Sequence, residues 1–291
     1  MYYTIDVKFM KKGVYMKHYL FPKFFADLSI DAMMEKCAAM GFDGPTLLIR
    51  DGHQVCLDNL ETALPHYMKA AETSGLEVRY AQTDITMENV QKEEDLLRRL
   101  ADAGITSFRL AHLHKRRSGI PPRELADHVR SHLSKVAETA EKAGIKAIVQ
   151  IHGMMYPHNA TSAYMALKDL DPTHIGVKLD PGNNVQQEGF ELWNYQIPLL
   201  GEYISALGIK DANFFLHPEA DIAGGKQFVR RFVPLPDGVS DYPQILTELQ
   251  KIGFSGPAVF MPFYNEKEPD LLEKNLAREL AYFKELEGKI R

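Results

Sequence analysis

Strand-like and helix-like stretches alternate along almost the whole sequence, and this alternation limits the fold more strongly than any other feature. Eight stretches of strand character, each followed by a segment of helical composition, are predicted to end near these residues: Leu20, Ile49, Gln82, Leu113, Ile151, Leu179, Lys210 and Phe260. A strand–helix repeat of about 30–40 residues is typical of a closed parallel barrel. The sequence therefore predicts an α/β protein, a single (β/α)8 TIM barrel. An open doubly wound sheet is the alternative, but eight units exceed what that fold commonly uses.

The predicted helix ends support this pattern. Three of them share one form, in which a glycine is followed by an apolar residue that opens the next strand: Met40-Gly41-Phe42, Ala103-Gly104-Ile105 and Ala143-Gly144-Ile145. Glycine commonly ends helices because it adopts the left-handed backbone conformation without steric cost. An extra extended piece, Tyr3–Phe9, precedes the first strand. No linker interrupts the repeat, so the sequence predicts one domain over residues 1–291.

Composition argues against several classes of function. A net charge of −5 gives no reason to expect nucleic acid or an anionic membrane as a partner. The two cysteines, Cys37 and Cys56, lack a metal-type spacing and suit a reducing compartment. The amino terminus has no uninterrupted apolar core of the signal-peptide kind, and no apolar run is long enough to span a bilayer. We therefore expect a cytoplasmic protein that binds a small molecule. The formation of a homo-oligomer is compatible with the sequence.

Polar residues gather where the fifth and sixth predicted strands end. Gln150 and His152 follow the apolar run Ala147–Ile151, and Asp180 and Asn183 follow Ile175–Leu179. In parallel α/β folds the carboxyl ends of the strands form the edge at which ligands bind. The candidate site is therefore expected at this edge.

The period of two along a strand extends the site to neighbouring strands. Alternate residues share a face, so Lys210 should lie on the same side as Gly208. By the same rule His112 pairs with His114, and Met261 and Phe263 form an apolar wall. The expected catalytic residues are His152, Asp180 and Lys210, and the expected substrate-binding residues are His112, His114, Gln150, Asn183, Asp211, Met261 and Phe263.

Each of these residues also has a structural interpretation. Lys210 and Asp180 could form an ion pair that ties neighbouring strands together. The basic run Lys115-Arg116-Arg117 is most often a solvated loop, with a phosphate clamp as the minor alternative. Trp193 and Tyr195 could stack on a sugar ring or simply pack. For His152 the functional interpretation is favoured, because an unperturbed imidazole pKa of about 6.5 suits proton transfer near neutrality.

Four motifs, taken in this order, resemble one known family. They are Gly41-Phe42-Asp43-Gly44, Lys210-Asp211, the run Val233-Pro234-Leu235-Pro236-Asp237-Gly238, and Gly253-Phe254-Ser255-Gly256-Pro257. The chain resembles the xylose isomerase-like TIM barrels, a superfamily of sugar and sugar phosphate isomerases and epimerases that also holds dehydratases and endonuclease IV. The resemblance runs from about the first helix to the eighth strand. It implies a barrel fold and a sugar or sugar phosphate as substrate.

The departures from that family concern its metal site. The resemblance implies a metal held by a Glu after strand five, an Asp after strand six, a His on strand seven and a Glu after strand eight. The corresponding residues here are Gln150, Asp180, Gly208 and Met261. One carboxylate and one amide are a poor site for a hard divalent ion. We therefore expect no tightly bound metal, although a weakly held divalent ion at Gln150 and Asp180 stays compatible with the sequence.

Two kinds of function follow from these observations. The first is an isomerase or epimerase that moves a proton next to a carbonyl, with His152 and Lys210 as proton carriers beside Asp180. A lyase or dehydratase acting on a related polyol is a variant of this hypothesis. The second is a catalytically degenerate barrel that serves as a carbohydrate-binding or partner subunit. The superfamily resemblance favours the first, and the lost metal ligands favour the second.

Overall fold

Eight parallel strands surround a common interior in the computed structural model, which describes residues 16–114, 118–186, 191–217, 228–265 and 271–290. The barrel strands are β1 (His18–Leu20), β2 (Gly44–Pro45 and Leu47–Leu48), β3 (Tyr80–Gln82), β4 (Ser107–Arg109), β5 (Lys146–Gln150), β6 (Ile175–Leu179), β7 (Ile204–Ile209) and β8 (Ala258–Phe260). The first part of β2 pairs with β1 and its second part pairs with β3, while β8 pairs with β1. The sheet therefore closes on itself, with an interruption only at Thr46.

Helices follow the strands as the sequence predicts. The α-helices are α1 (Ile30–Ala39), α2 (Leu60–Thr73), α3 (Glu94–Asp102), α4 (Leu125–Ala143), α5 (Ala160–Leu167), α6 (Pro181–Gln186), α7 (Trp193–Leu200), α8 (Tyr242–Lys251) and α9 (Leu272–Ile290). Single 3₁₀ turns lie at Pro22–Phe25, Val90–Glu93, Gly201–Tyr203, Leu235–Asp237 and Phe263–Asn265. Among the described helices, none has the length and apolar character needed to cross a membrane.

The predicted helix-ending glycines are confirmed. Gly41, Gly104 and Gly144 have φ values of 84°, 92° and 69°, in the left-handed region that costs glycine little. At the start of α1, the Ser29 side chain accepts a hydrogen bond from the Ala32 N–H, which satisfies one of the free donors of the first turn. The (β/α)8 prediction is thus confirmed, and so are the glycines predicted to end three of its helices. The single-domain organisation over residues 1–291 stays a prediction, because Tyr3–Phe9 lies outside the described residues.

Side chains on alternate strand residues fill the barrel interior. Its lower part is apolar, where one buried cluster contains Tyr19, Leu48, Tyr80, Ile148, Ala206, Val259 and Met261. A separate and larger apolar cluster lies between the strands and the helices. The polar residues that follow in register therefore lie above an apolar floor, at the carboxyl ends of the strands.

The structure differs from the sequence-based expectation in three places. The fourth strand ends at Arg109 rather than near Leu113, and Leu113–His114 instead pairs with Met155–Tyr156 in a short antiparallel ribbon. A second antiparallel ribbon after β7, in which Asp211–Leu216 pairs with Phe228–Val233, was not predicted. Helix α6, directly after Asp180, was not predicted. All three lie beyond the carboxyl ends of the barrel strands, in segments whose structure the strand–helix repeat does not predict.

Candidate active site

Asp180 is the centre of a buried polar network at the mouth of the barrel. Its Oδ2 atom accepts hydrogen bonds from Gln150 Nε2 at 2.6 Å and Asn183 Nδ2 at 2.9 Å. Its Oδ1 atom accepts from the Asn183 backbone N–H at 3.0 Å, because Asp180 immediately precedes α6 and caps its first turn. Lys210 Nζ lies 3.2 Å from Oδ2. The structure therefore brings together four residues of the predicted site.

Lys210 is held by its side chain and by its backbone. Its Nζ atom donates to Asn183 Oδ1 at 2.7 Å, in addition to the ion pair with Asp180. The Tyr242 hydroxyl donates to the Lys210 carbonyl at 2.9 Å and lies 3.2 Å from the Lys210 backbone N–H. Burial lowers the pKa of Lys210, against the opposing effect of the Asp180 carboxylate. The ammonium group is thus fixed in position and poorly solvated.

An aromatic wall stands beside Lys210. The Nζ atom lies 4.6 Å from the ring centre of Phe232 and 4.8 Å from that of Phe263, within the range of cation–π contacts. The Phe263 ring in turn packs against Phe21, at 6.1 Å, and Phe24, at 5.4 Å. The sequence predicted Phe263 at this wall, and it missed the three other rings because they belong to distant segments.

The histidines at the mouth have depressed pKa values. His112 and His152 lie with ring centres 4.9 Å apart. Burial, and secondly the positive charge of Lys210, lower the pKa of His152 to about 4. Desolvation, and secondly the positive charge of Arg109, lower the pKa of His112, although part of this residue is exposed to solvent. The expected pKa of about 6.5 for His152 was therefore wrong, and at neutral pH its imidazole is uncharged.

Lys178 is a buried cation that the sequence interpretation missed. It lies on β6 two residues before Asp180, so the period of two places both on the interior face. Its Nζ atom donates to Met261 Sδ at 3.1 Å and lies 5.8 Å from the ring centre of Tyr80. Burial lowers the pKa of Lys178 to about 7, while Asp180 opposes this effect. The same parity rule that selected Asp180 could have found it.

Arg109 is a second missed cation, at the end of β4. Its terminal nitrogens donate to the Leu110 carbonyl at 2.5 Å and the Thr83 carbonyl at 3.3 Å. The prediction passed over it because the fourth strand was extended to Leu113. His114 lies on the short ribbon and affects the pKa of His152 electrostatically.

Asp211 was predicted to contact the ligand, but the structure gives its carboxylate other partners. It accepts from the Ala212 N–H at 2.7 Å, the Ser240 N–H at 3.0 Å and the Ser240 hydroxyl at 2.8 Å. Burial raises the pKa of Asp211. Asp211 therefore ties the ribbon after β7 to the segment before α8. Trp193 is buried in the core, which favours its packing interpretation, and Lys115-Arg116-Arg117 lies outside the described residues.

The residues at the mouth do not fit a divalent cation. A Cβ atom on Gly208 would lie 2.8 Å from Met261 Cε, 3.2 Å from Lys178 Cε and 3.3 Å from Asp180 Cγ, so side chains already fill the space beside β7. The Lys210 ammonium lies against the carboxylate that a metal would need. Within the described ranges, no group of three or more His, Cys, Asp or Glu side chains could hold a metal.

The sequence matches the profile of a family described as the xylose isomerase-like TIM barrel over residues 34–286. The chain belongs to this family. The resemblance stated from the motifs is thereby confirmed. No curated protein sequence matches this xylose isomerase-like barrel significantly.

Solved structures share the fold at low sequence identity. D-Psicose 3-epimerase from Clostridium cellulolyticum H10, determined with D-tagatose, is 15% identical with a TM-score of 0.69, covering 93% of this chain and 99% of its own. A xylose isomerase-like TIM barrel protein from Mycobacterium smegmatis, determined in complex with magnesium, is 16% identical with a TM-score of 0.68, covering 94% and 97%. The 3-keto-D-glucoside 4-epimerase from E. coli is 16% identical with a TM-score of 0.67, covering 93% and 99%. At such identities the likeness establishes the fold.

Proposed function

We propose that this protein is a sugar isomerase or epimerase that moves a proton next to a carbonyl at the carboxyl-terminal mouth of its barrel. The observation that carries the proposal is the combination of an uncharged imidazole, His152, with a fixed ammonium, Lys210, at one site. The first can accept a proton and the second can stabilise the negative charge that proton removal creates. Family membership and epimerases with the same fold support this reaction class.

The proposed reaction assigns a role to each group. His152 takes the proton from the carbon next to the carbonyl, and negative charge develops on the carbonyl oxygen. Lys210 donates a hydrogen bond to that oxygen while Asp180, Gln150 and Asn183 keep the ammonium in place. Return of the proton to the former carbonyl carbon, with transfer of the hydroxyl proton of the first carbon to the oxyanion, gives an isomer. Return of the proton to the opposite face of the first carbon gives an epimer. The apolar wall at Phe263 and Met261 packs against the C–H face of the sugar.

The proposed reaction uses no resident metal ion. Gln150 cannot take a proton at neutral pH, so a reaction that uses a carboxylate at this position does not apply here. The polar groups at the site are the Asp180 carboxylate, the Gln150 and Asn183 amides and lysine ammonium groups. In the proposed reaction, Lys210 supplies the positive charge that stabilises the developing oxyanion. Loss of carboxylates at the mouth also supports the alternative, a degenerate barrel that binds carbohydrate without turnover. The lyase or dehydratase variant would use the same base and lose water in place of returning the proton.

Exchange in heavy water tests the proposal. The protein is incubated in D₂O with D-psicose, D-tagatose, D-fructose and other ketoses, aldoses and their phosphates, and deuterium at the carbon next to the carbonyl is followed by NMR. We expect exchange with at least one sugar, lowered by about 10²–10⁴ in His152→Ala. Lys210→Met should weaken sugar binding as well as turnover.

Three other outcomes separate the alternatives. Sugar binding by calorimetry without exchange would favour the binding subunit, and release of water with a new carbonyl would favour the lyase. Exchange that is unchanged in both variants would show that the reacting groups have been misplaced. Lys69→Met, which alters an exposed lysine on α2, serves as the control that should behave like the parent.

A further inference from the structure

Two histidines of the barrel mouth are held in direct contact by the first antiparallel ribbon. His112 directly precedes Leu113–His114, which pairs with Met155–Tyr156, and the latter strand begins three residues after His152. The His152 carbonyl accepts a hydrogen bond from the Met155 N–H at 2.9 Å, which ties His152 to the ribbon. The ring centres of His112 and His152 lie 4.9 Å apart, and their planes meet at 51°. At this separation two rings are in contact, and no other group fits between them.

The two histidines differ in their access to solvent. His112 is exposed, whereas His152 is half-buried and its Nδ1 atom has almost no solvent-accessible surface. A sugar that reacts at His152 covers more of this ring, because the reacting carbon must come within reach of one of its nitrogens. The more exposed His112 then remains the member of the pair that water reaches. The pair therefore consists of an inner and an outer imidazole.

An uncharged imidazole can pass a proton on. It carries an N–H donor on one nitrogen and a lone pair on the other, so it can accept a proton on one side and release another on the opposite side. Burial, and then the positive charge of Lys210 for His152 and of Arg109 for His112, lower the pKa of both rings. Neither ring retains an additional proton at neutral pH. A proton taken from the sugar must therefore leave the pair or return to the sugar quickly.

We propose that His112 is a further proton carrier, which connects the base His152 to solvent. The proposal rests on the proposed function, in which His152 removes the proton next to the carbonyl. The C–H bond breaks as an N–H bond forms on His152, and the electron pair of the broken bond moves towards the carbonyl oxygen. The His152 imidazolium then gives a proton to His112, which releases the proton of its other nitrogen to water. Nothing is oxidised or reduced.

The same steps in reverse return a proton to the sugar. Water protonates His112, His112 protonates His152, and His152 protonates carbon, which restores the original N–H positions of both rings. The returned proton therefore comes from solvent while His112 is present. Without an imidazole at position 112, the proton removed from the sugar stays on His152 and goes back to the same sugar molecule. The origin of the returned proton thus reports on His112.

The isotope content of the product tests this route. The full-length protein is incubated in D₂O with each sugar of the exchange panel, beginning with D-psicose, D-tagatose and D-fructose. NMR at low conversion gives the fraction of new product in which deuterium replaces the transferred hydrogen. We expect this fraction to be high in the parent and smaller by a factor of about three or more in His112→Phe. His112→Gln, which keeps a polar side chain but cannot relay a proton, should behave in the same way. His66→Phe removes an exposed imidazole on α2 and should match the parent.

Chemical rescue separates a proton carrier from a structural residue. His112→Ala removes the ring and leaves space beside His152, so imidazole added to the buffer should restore the deuterium fraction. The 1,3-dimethylimidazolium ion, which has the same ring but no nitrogen that can carry a proton, should not restore it.

The outcomes distinguish this route from the proposed function. An unchanged deuterium fraction in His112→Phe and His112→Gln overturns the route and leaves the proposed isomerase standing, even if turnover falls. A parent that returns the original hydrogen to its product has the same meaning, as does failure of imidazole to rescue His112→Ala. Absence of exchange with every sugar in the parent would overturn the proposed function, and the route with it.

Discussion

The Nζ atom of Lys178 lies 3.1 Å from the Sδ atom of Met261, in the space that faces Gly208 at the centre of the barrel. The resemblance to the xylose isomerase-like family places a histidine at 208 and a glutamate at 261. A lysine and a methionine fill this space instead, so an amine whose pKa burial lowers to about 7 lies where a carboxylate and an imidazole would be expected.

The first prediction is that this arrangement costs stability. Lys178→Met should raise the free energy of unfolding at pH 7 by about 1–4 kcal/mol, because an ammonium without an anionic partner is replaced by an apolar chain of similar length. The pKa of Lys178 is lowered in the folded protein, so the unfolded chain binds a proton more readily as the pH falls from about 10.5 to about 7. The gain should therefore be larger at pH 7 than at pH 9.5. Urea unfolding at both pH values measures it.

Lys69→Met is the control for that measurement, since it removes an exposed lysine. Its effect should stay within about 0.5 kcal/mol at either pH. A lower stability of Lys178→Met at pH 7 would mean that Lys178 is a structural residue.

The second prediction concerns the pH dependence of turnover. Because the pKa of His152 in the free protein is lowered to about 4, the imidazole remains an uncharged base well below neutrality. The acidic limb of kcat/KM should therefore fall near pH 4 and not near 6.5. Titration of the His152 NMR signal gives the same pKa independently of activity. A limb near 6.5 with a matching NMR titration would contradict the burial of this ring.

The third prediction concerns metal. Purified protein should contain no stoichiometric Mn²⁺, Zn²⁺ or Co²⁺ at the barrel mouth, because Gly208 and Met261 supply no ligand that suits these ions and Lys210 opposes a second cation beside Asp180. Elemental analysis, repeated on Asp180→Ala, measures it, and chelator treatment should leave deuterium exchange unchanged. About one ion per chain that disappears in Asp180→Ala would overturn the prediction.

The fourth prediction concerns a buried carboxyl behind the barrel. Glu279 on α9 accepts from the Leu235 N–H at 2.8 Å and the Tyr264 hydroxyl at 2.5 Å, and burial raises its pKa to about 8. A raised folded-state pKa contributes stability that is present below the unfolded value of about 4.5 and is lost as the pH rises towards 8. Glu279→Gln should remove this loss and be more stable than the parent by about 1–3 kcal/mol at pH 8.5. Thermal or urea unfolding between pH 5 and pH 8.5 tests it, and parallel curves for the two proteins would refute it.

The fifth prediction concerns the support of Lys210. Tyr242→Phe removes the hydroxyl that contacts both the N–H and the carbonyl of Lys210, and it should lower the free energy of unfolding by about 1–3 kcal/mol. The Lys210 ammonium should then be less well positioned, so kcat should fall more than KM rises. Unfolding and steady-state kinetics give the two readouts. A stability loss with unchanged kcat would restrict Tyr242 to a structural role.

The sequence alone determined the barrel and the strand ends at which Asp180, Gln150 and Lys210 lie. Apolar periodicity and the glycine helix ends are local properties, and each reports a strand or helix without reference to the rest of the chain. Once the strands are parallel, alternation along each of them places these three residues on the same interior face. The position of Lys178 was available from the same rule.

Only the tertiary structure decided how those residues behave. The ring wall combines Phe21 and Phe24, from one segment, with Phe232 and Phe263 from two others, and no local pattern relates the positions of these three segments. The pKa values at the mouth depend on burial and on charges from several strands, so an unperturbed value could not anticipate that of His152. The same reason explains the missed ribbons. The segments beyond the strand ends pair with neighbours that lie beside them only once the barrel has formed. Local periodicity determines the secondary structure and the face of each strand or helix on which a residue lies. The distances between residues on different strands, and the electrostatic interactions that depend on those distances, arise only when the chain closes into a barrel.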